Sequence, residues 1–322
     1  MNFRIPATMM VLAAIVPLHT QAQSFPVKPI RILVSAAPSV PNDIIARAMS
    51  EPLSKAFGQP VVVENRVGAD GMIGMEACAR AGSDGYTLCS TASNVIIWNP
   101  VLRVKLPYAP LRDFTPVVHI GFFDSALIAH PSLTANSVQQ LFDMAKAKPD
   151  SITWAHFGTN STGNIYQESF RKLRGAPFYA VPYKTQPQVL QALIAGESQV
   201  SVYSIANTVA LIQSGKLKAL AVTSDKRVAE FPNVPTFDEL GIKLPLRTWF
   251  GYHLQAGTPK ELVTRYNGEV RKIMADQTFK DTVMKRQGVS ANDGTPEQFD
   301  AYIRNQIKDV SELVKTLGIQ PE

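Results

Sequence analysis

The chain has 322 residues, 45% hydrophobic and 18% charged, a balance that supports packed cores and excludes a disordered protein. Its net charge is +6, but the basic residues are scattered without aromatic interleaving, so nucleic-acid binding is not expected. The length suits one large or two medium domains.

In chain order, Arg4 precedes an apolar stretch from Met9 to Leu18, and "HTQAQ" offers small residues for cleavage near Ala22. This layout predicts a secretory signal peptide over residues 1–22, too short to span a bilayer. The mature chain is expected to be exported and soluble. "PIRILVSAA" reads as a strand and Asp43–Phe57 as a helix kinked at Pro52. "QPVVVENR" is a second strand, "GADGMIGMEACARA" a glycine-opened helix and "DGYTLCSTAS" a third strand ending at Ser93. "FTPVVHIGFFDSALIAH" carries two β-rich runs. "SVQQLFDMAKAKP" is a helix capped by Ser137, and "SITWAHFG" a strand. The helices "TGNIYQESFRKLRG" and "PQVLQALIAGE" precede the strands "QVSVYSI" and "LKALAVTS". Three helical patterns close the chain, the last being "PEQFDAYIRNQIKDVSELVKTLG".

Such alternation predicts an α/β fold of βαβ units with mainly parallel sheets flanked by helices. Two sheets fit the strand count better than one. A crossing near Asp124–Ala129 and a return at "LRTWFGYHLQAG" would make a discontinuous domain 1 (residues 23–124 plus 247–322) around a continuous domain 2 (125–246). Cys78 falls in a helix and Cys89 in the next strand. A link that short rarely brings two such positions into bridging geometry, so two buried free thiols are expected.

No Walker loop, G-x-S-x-G elbow, H-E-x-x-H or C-x-x-C is present. His119, His130, His156 and His253 are far apart, and no metal or cofactor is expected. Gly68, Gly71 and Gly74 are spaced G-x-x-G-x-x-G, which misplaces one glycine of the dinucleotide fingerprint but leaves a helix start suited to a carboxylate. "FGTNSTGN" gathers Thr159, Asn160, Ser161, Thr162 and Asn164 at another helix start, more than capping alone explains. That loop and the Pro38–Asp43 loop, with Ser39, Asn42 and Asp43, would face each other across an interdomain cleft. Gly68, Gly71 and Ser93 are added as candidate ligand contacts.

Six ordered segments carry a resemblance: "GQPVVVENRVGADGMIG" (58–74), "DGYTL" (84–88), "NPVLRVKLPYAPLRDFTPV" (99–117), "VPYK" (181–184), "GKLKALAVTS…FPNVPTFDELG" (215–241) and "WFGYHLQAGTP" (249–259). Together they resemble the Bug family, the periplasmic receptors of tripartite tricarboxylate transporters. The resemblance implies a type II-like periplasmic-binding-protein clamp that captures a small carboxylate, catalyses nothing and hands the solute to membrane permease subunits. A monomer is expected. The family's first binding loop falls on Ser35–Asp43, where its usual glycines are replaced by Ser39, Val40, Pro41 and Asn42. A histidine common at the second loop is Asn164 here, and an aspartate frequent after a later strand is Tyr203. Tyr203 either offers the ligand an aromatic face or fills core space. Two rival readings are a periplasmic sensor presenting its ligand to a signalling partner, and an enzyme using Asp43 or His156 as a base.

Overall fold

The computed structural model describes residues 25–158 and 161–321. The leader expected over residues 1–22 and the candidates Thr159 and Asn160 lie outside the described residues.

The apolar run Ile30–Val34 forms β1, and α1 (Pro41–Phe57) follows it directly. Ile45, Met49, Leu53 and Phe57 recur at helical spacing and turn inward, and Gly58 ends the helix in the left-handed conformation. The helix runs through Pro52 without interruption. Next come β2 (Val61–Asn65), α2 (Met72–Ala79) and β3 (Thr87–Ala92). A π-turn (Asn94–Trp98) leads into α3 (Asn99–Leu102), and α4 (Pro110–Asp113) introduces β4 (Phe114–Phe123). The second block contains β5 (Ser125–Ala129), α5 (Val138–Ala147), β6 (Thr153–His156), α6 (Thr162–Arg174) and β7 (Tyr179–Pro182). It ends with α7 (Gln186–Ala195), β8 (Val200–Ser204), α8 (Ile205–Gln213) and β9 (Lys218–Val222). The chain then returns through β10 (Thr248–Gln255), α9 (Lys260–Ala275), α10 (Gln277–Phe279), β11 (Val289–Ala291) and α11 (Pro296–Leu317).

The strands form two sheets, ordered β11-β4-β10-β3-β1-β2 and β7-β6-β8-β5-β9. In the first, β1, β2, β3 and β4 share one direction, and β10 and β11 oppose them. In the second, only β5 runs against the rest. Both sheets are therefore mixed: two of the five neighbouring pairs in the first and two of the four in the second are parallel, and the reversed strands are β5, β10 and β11. The chain leaves the first sheet at Phe123, enters the second at Ser125, and comes back between Val222 and Thr248.

Each sheet is covered on both faces. Residues of α1 and α9 pack on one face of the first sheet, while α2, the π-turn and much of α11 pack on the other. In the second sheet, α5 and α6 share a core with Trp154 and Phe178, and α7 and β8 contribute to a separate cluster on the opposite face. Helix α11 straddles the two units: Phe299 and Ile303 join the first core, while Leu313 and Leu317 join the second.

One expectation is overturned. Cys78 and Cys89 form a disulfide with Cα atoms 6.1 Å apart. The eleven-residue separation folds α2 back over β3, so a buried residue in the helix's last turn meets a buried strand residue from above. The expectation of free thiols treated the link as too short, whereas an antiparallel return needs only a tight turn.

Candidate ligand-binding cleft

Between the two sheets lies a cavity of about 700 Å³, within the ordinary range for a small-molecule site. Its first wall comes from the loop after β1, the start of α1 and the segment following β3. Its second wall is the loop between β6 and α6, and Thr248 and Phe250 of β10 close the back. Loops beyond the carboxyl ends of parallel strands and helix starts are where α/β folds place ligands.

The α1 entry achieves its turn without glycine. Ser39 takes the left-handed position at φ 67°, and its N–H donates to Asp43 Oδ2 at 2.8 Å. Asp43 also accepts from Arg47 Nε (3.0 Å) and from Asn65 Nδ2 (2.8 Å). Burial works against the Asp43 charge, but the hydrogen bonds from Arg47, Ser39 and Asn65, with the Arg47 charge, outweigh it and hold the carboxyl below its usual value. The carboxylate is thus spent on the loop, and neither Ser39 nor Asp43 lines the cavity. Asn42 does line it. Its Oδ1 accepts from the Ser90 hydroxyl at 2.8 Å, which leaves its NH₂ end for the cleft.

The opposing helix, α6, begins with Ser161 as its cap. The Ser161 hydroxyl donates to the Gly158 carbonyl (2.7 Å) and accepts from Asn164 N–H (3.4 Å). Ser161 and Thr162 line the cavity, whereas Asn164 does not. Both helix starts thus open on one cavity, with first-turn N–H groups beyond the intrahelical ladder and the positive dipole end facing in.

Ser93 lines the cavity, as expected from its position after β3, but Gly68 and Gly71 do not. A Cβ on Gly71 would lie 2.6 Å from Val95 and 2.9 Å from the Ser35 carbonyl, so that glycine permits close packing of α2 beneath the wall. Tyr203 is also away from the cavity. It is buried in the second core, and its hydroxyl donates to the Gln186 carbonyl at 3.1 Å, which selects the core-filling alternative. The two residues considered as bases, Asp43 and His156, adjoin lining residues but do not themselves line the cavity. His156 is buried against Gly158, and that burial lowers its pKa.

The structure adds residues that sequence reasoning missed: Trp98, Phe157 and Phe250 as aromatic faces, and Asp70 with Arg103. Asp70 and Arg103 are the charged side chains among the described lining residues, and they pair at 2.6 Å. The amides of Asn94 and Asn99 both donate to the Asp70 carbonyl, at 3.3 and 3.2 Å. The π-turn that presents Asn94 and Trp98 is a backbone form often found at functional sites. Its one sequence signal was a polar-to-aromatic run directly after a strand.

Behind the cleft, the two crossings are tied together. Asp124 lies on the outward crossing and Arg247 at the end of the return, with Nη2–Oδ1 at 2.9 Å. The Ser290 hydroxyl donates to the other Asp124 oxygen. Arg247 also reaches Asp225 at 2.5 Å and stacks 3.7 Å above the Phe122 ring. Among the described residues no helix is long and apolar enough to cross a membrane, and no cluster is arranged to hold a metal ion.

The family described as the tripartite tricarboxylate transporter family receptor matches residues 45–319. Protein BugT of Bordetella pertussis is 30% identical over 299 residues, 92% of this chain and 91% of that protein. The R. palustris protein Rpa4515 with adipate superposes at a TM-score of 0.77 and 27% identity, covering 92% of this chain and 100% of its own. MatC from Rhodopseudomonas palustris with bound malate gives 0.71 at 26% identity, covering 90% and 100%.

Proposed function

Because this chain belongs to the tripartite tricarboxylate transporter receptor family of periplasmic solute-binding proteins, we propose that it captures a small carboxylate in the cleft and delivers it to the membrane permease of a tripartite transporter. The observation that carries this reading is the meeting of two helix N-termini, one from each sheet unit, in a single cavity furnished with neutral donors. A carboxylate accepts about four hydrogen bonds, and charge-assisted bonds of this kind contribute roughly 1.5–3 kcal/mol each. The relatives solved with adipate and malate support the same ligand chemistry.

In this reading Asn42, Ser93 and Thr162 donate to the anion together with the first-turn N–H groups of α1 and α6. Ser161 holds the second loop in shape, and Asp43 holds the first. Rotation about the two crossings brings the walls together, excludes water and strengthens the bonds. The closed form is then the shape a permease recognises. Export by removal of residues 1–22 completes the proposal, and the chain recovered from the periplasm should begin at Gln23.

The test is a melting screen of the mature protein against carboxylates, amines and sugars. A ligand at about 100 times its Kd adds ~2.7 kcal/mol and raises the melting temperature visibly. Asn42→Ala with Thr162→Val should weaken binding about 10- to 100-fold through two lost donors. Unchanged affinity in that double variant would remove these loops from the site. Stabilisation by amines or sugars alone would remove carboxylate capture altogether.

A further inference from the structure

Resting on that reading, we propose that the solute is an aromatic monocarboxylate, held by its carboxylate at the two helix starts and by its ring among Trp98, Phe157 and Phe250. The cleft has a limited set of groups left to offer a ligand. Several polar groups on its walls are already committed. The Asn94 and Asn99 amides serve the Asp70 carbonyl, and the Ser161 hydroxyl closes its own cap. Among the described lining residues, Asn42 NH₂, the Trp98 indole N–H and the hydroxyls of Ser93, Thr162 and Thr248 are the neutral side-chain donors without such duties. With the first-turn N–H groups they suffice for one carboxylate and its four acceptor sites.

A second carboxylate would meet a different environment. The guanidinium of Arg103 is paired with Asp70 at 2.6 Å, so an incoming anion would face a carboxylate beside it. Like charges side by side repel, so the Asp70 carboxylate opposes a second carboxylate at Arg103, and the site disfavours dicarboxylates such as adipate and malate.

The remaining walls are apolar. Val40 and Pro41 occupy the positions at the α1 entry, with Leu102 and Ile165 elsewhere on the lining. Phe157 is 43% exposed and Trp98 is half-buried, so both rings present apolar area at the cavity that a ligand's ring can cover. Flat rings stack on such faces with little loss of conformational freedom. Trp154 and Trp249 are fully buried, so a change in tryptophan emission on binding reports on Trp98.

The experiment is equilibrium titration of the mature protein, followed by calorimetry and tryptophan fluorescence. The probes are benzoate and phenylacetate, adipate and malate, acetate, and uncharged phenol. Phenylacetate or benzoate should bind at least 10-fold more tightly than adipate or malate and should perturb Trp98 emission. Phe157→Ala, at an exposed position that leaves folding intact by circular dichroism, should weaken the aromatic acid about 5- to 10-fold while changing acetate less than 2-fold. Tighter binding of adipate or malate than of either aromatic acid would overturn the inference and leave carboxylate capture standing. An equal loss for all acids in Phe157→Ala would overturn the stacking role. If phenol binds as well as benzoate, or no acid binds at all, carboxylate capture itself fails and the inference with it.

Discussion

Arg247 holds together the two crossings on which any closure depends, and Arg247→Met isolates that role. Methionine keeps an apolar stem over Phe122 and removes the guanidinium. Asp124, 4% exposed, then keeps only the Ser290 hydroxyl, while the exposed Asp225 is released to water. Breaking one side of a buried ion pair typically costs ~3–5 kcal/mol, and the surviving Ser290 bond puts this case near ~3 kcal/mol. The penalty should depend on pH. Burial already raises the Asp124 pKa against the lowering by Arg247, and losing the guanidinium raises it further. A carboxyl raised in the folded state stabilises below its unfolded value, about 3.9, and that stability is lost as pH rises through the folded value. Urea unfolding followed by circular dichroism should therefore show a smaller loss at pH 5 than at pH 8. A loss under 1 kcal/mol at pH 8, or one that does not vary with pH, would refute the account.

Three further outcomes follow from the packing around the first wall. Gly74→Ala would set a Cβ 2.7 Å from Ser35 Cα and 2.9 Å from the Arg66 carbonyl, both backbone, and should cost about 1–3 kcal/mol in thermal unfolding. Reducing the Cys78–Cys89 bridge, which closes a loop of eleven residues, should lower stability by about 2–3 kcal/mol in matched melts with and without dithiothreitol. Asp43→Asn should lose about 1–2 kcal/mol, since Arg47 is half exposed and its charge is partly screened. Because the folded Asp43 pKa is lowered, its contribution is present above the unfolded value near 3.9 and fades as pH falls through the folded one. The gap between wild type and variant should accordingly be constant from pH 5 to 8 and shrink below about pH 4.

Much of the scaffold was legible because its periodicities are strong. Ile45, Met49, Leu53 and Phe57 repeat as a helix must, and the continuous apolar run of β1 reads as a strand buried on both faces. Short elements escaped for a physical reason. Strand β7 is four residues long at a sheet edge with Tyr179 exposed, so its pattern never rises above that of a loop. The site was legible only where position along the chain implies position in space. Asn42, Ser93, Ser161 and Thr162 follow strand ends and reach the cavity wall. Phe250 looked like one more apolar residue of a crossing strand, and only the pairing of β10 with β3 and β4 shows that it backs the cleft. Glycine spacing misled in the other direction. Gly71 and Gly74 serve a helix pressed against Ser35, a contact that no local pattern reveals.

The glycine-free entry to α1 explains how a binding wall changes character without losing its shape. Pro41 sits at the first helical position, where an N–H would have no intrahelical partner, so proline there removes one donor and leaves those of Asn42 and Asp43. Val40 is extended at φ −83° and has no side chain able to cap. The left-handed turn that a glycine would make freely falls on Ser39, at a cost of roughly 1–2 kcal/mol. Asp43 offsets that cost by accepting the Ser39 N–H, and Arg47 and Asn65 keep the carboxylate charged and in place. The aspartate thus shapes the cavity wall only through the backbone it fixes. What faces the cavity is Val40, Pro41 and the amide of Asn42, a surface whose side-chain donor is the Asn42 NH₂ set in an apolar frame. A wall of glycines presents backbone to any anion, whereas this wall, in the reading proposed above, suits an anion with an apolar body behind it.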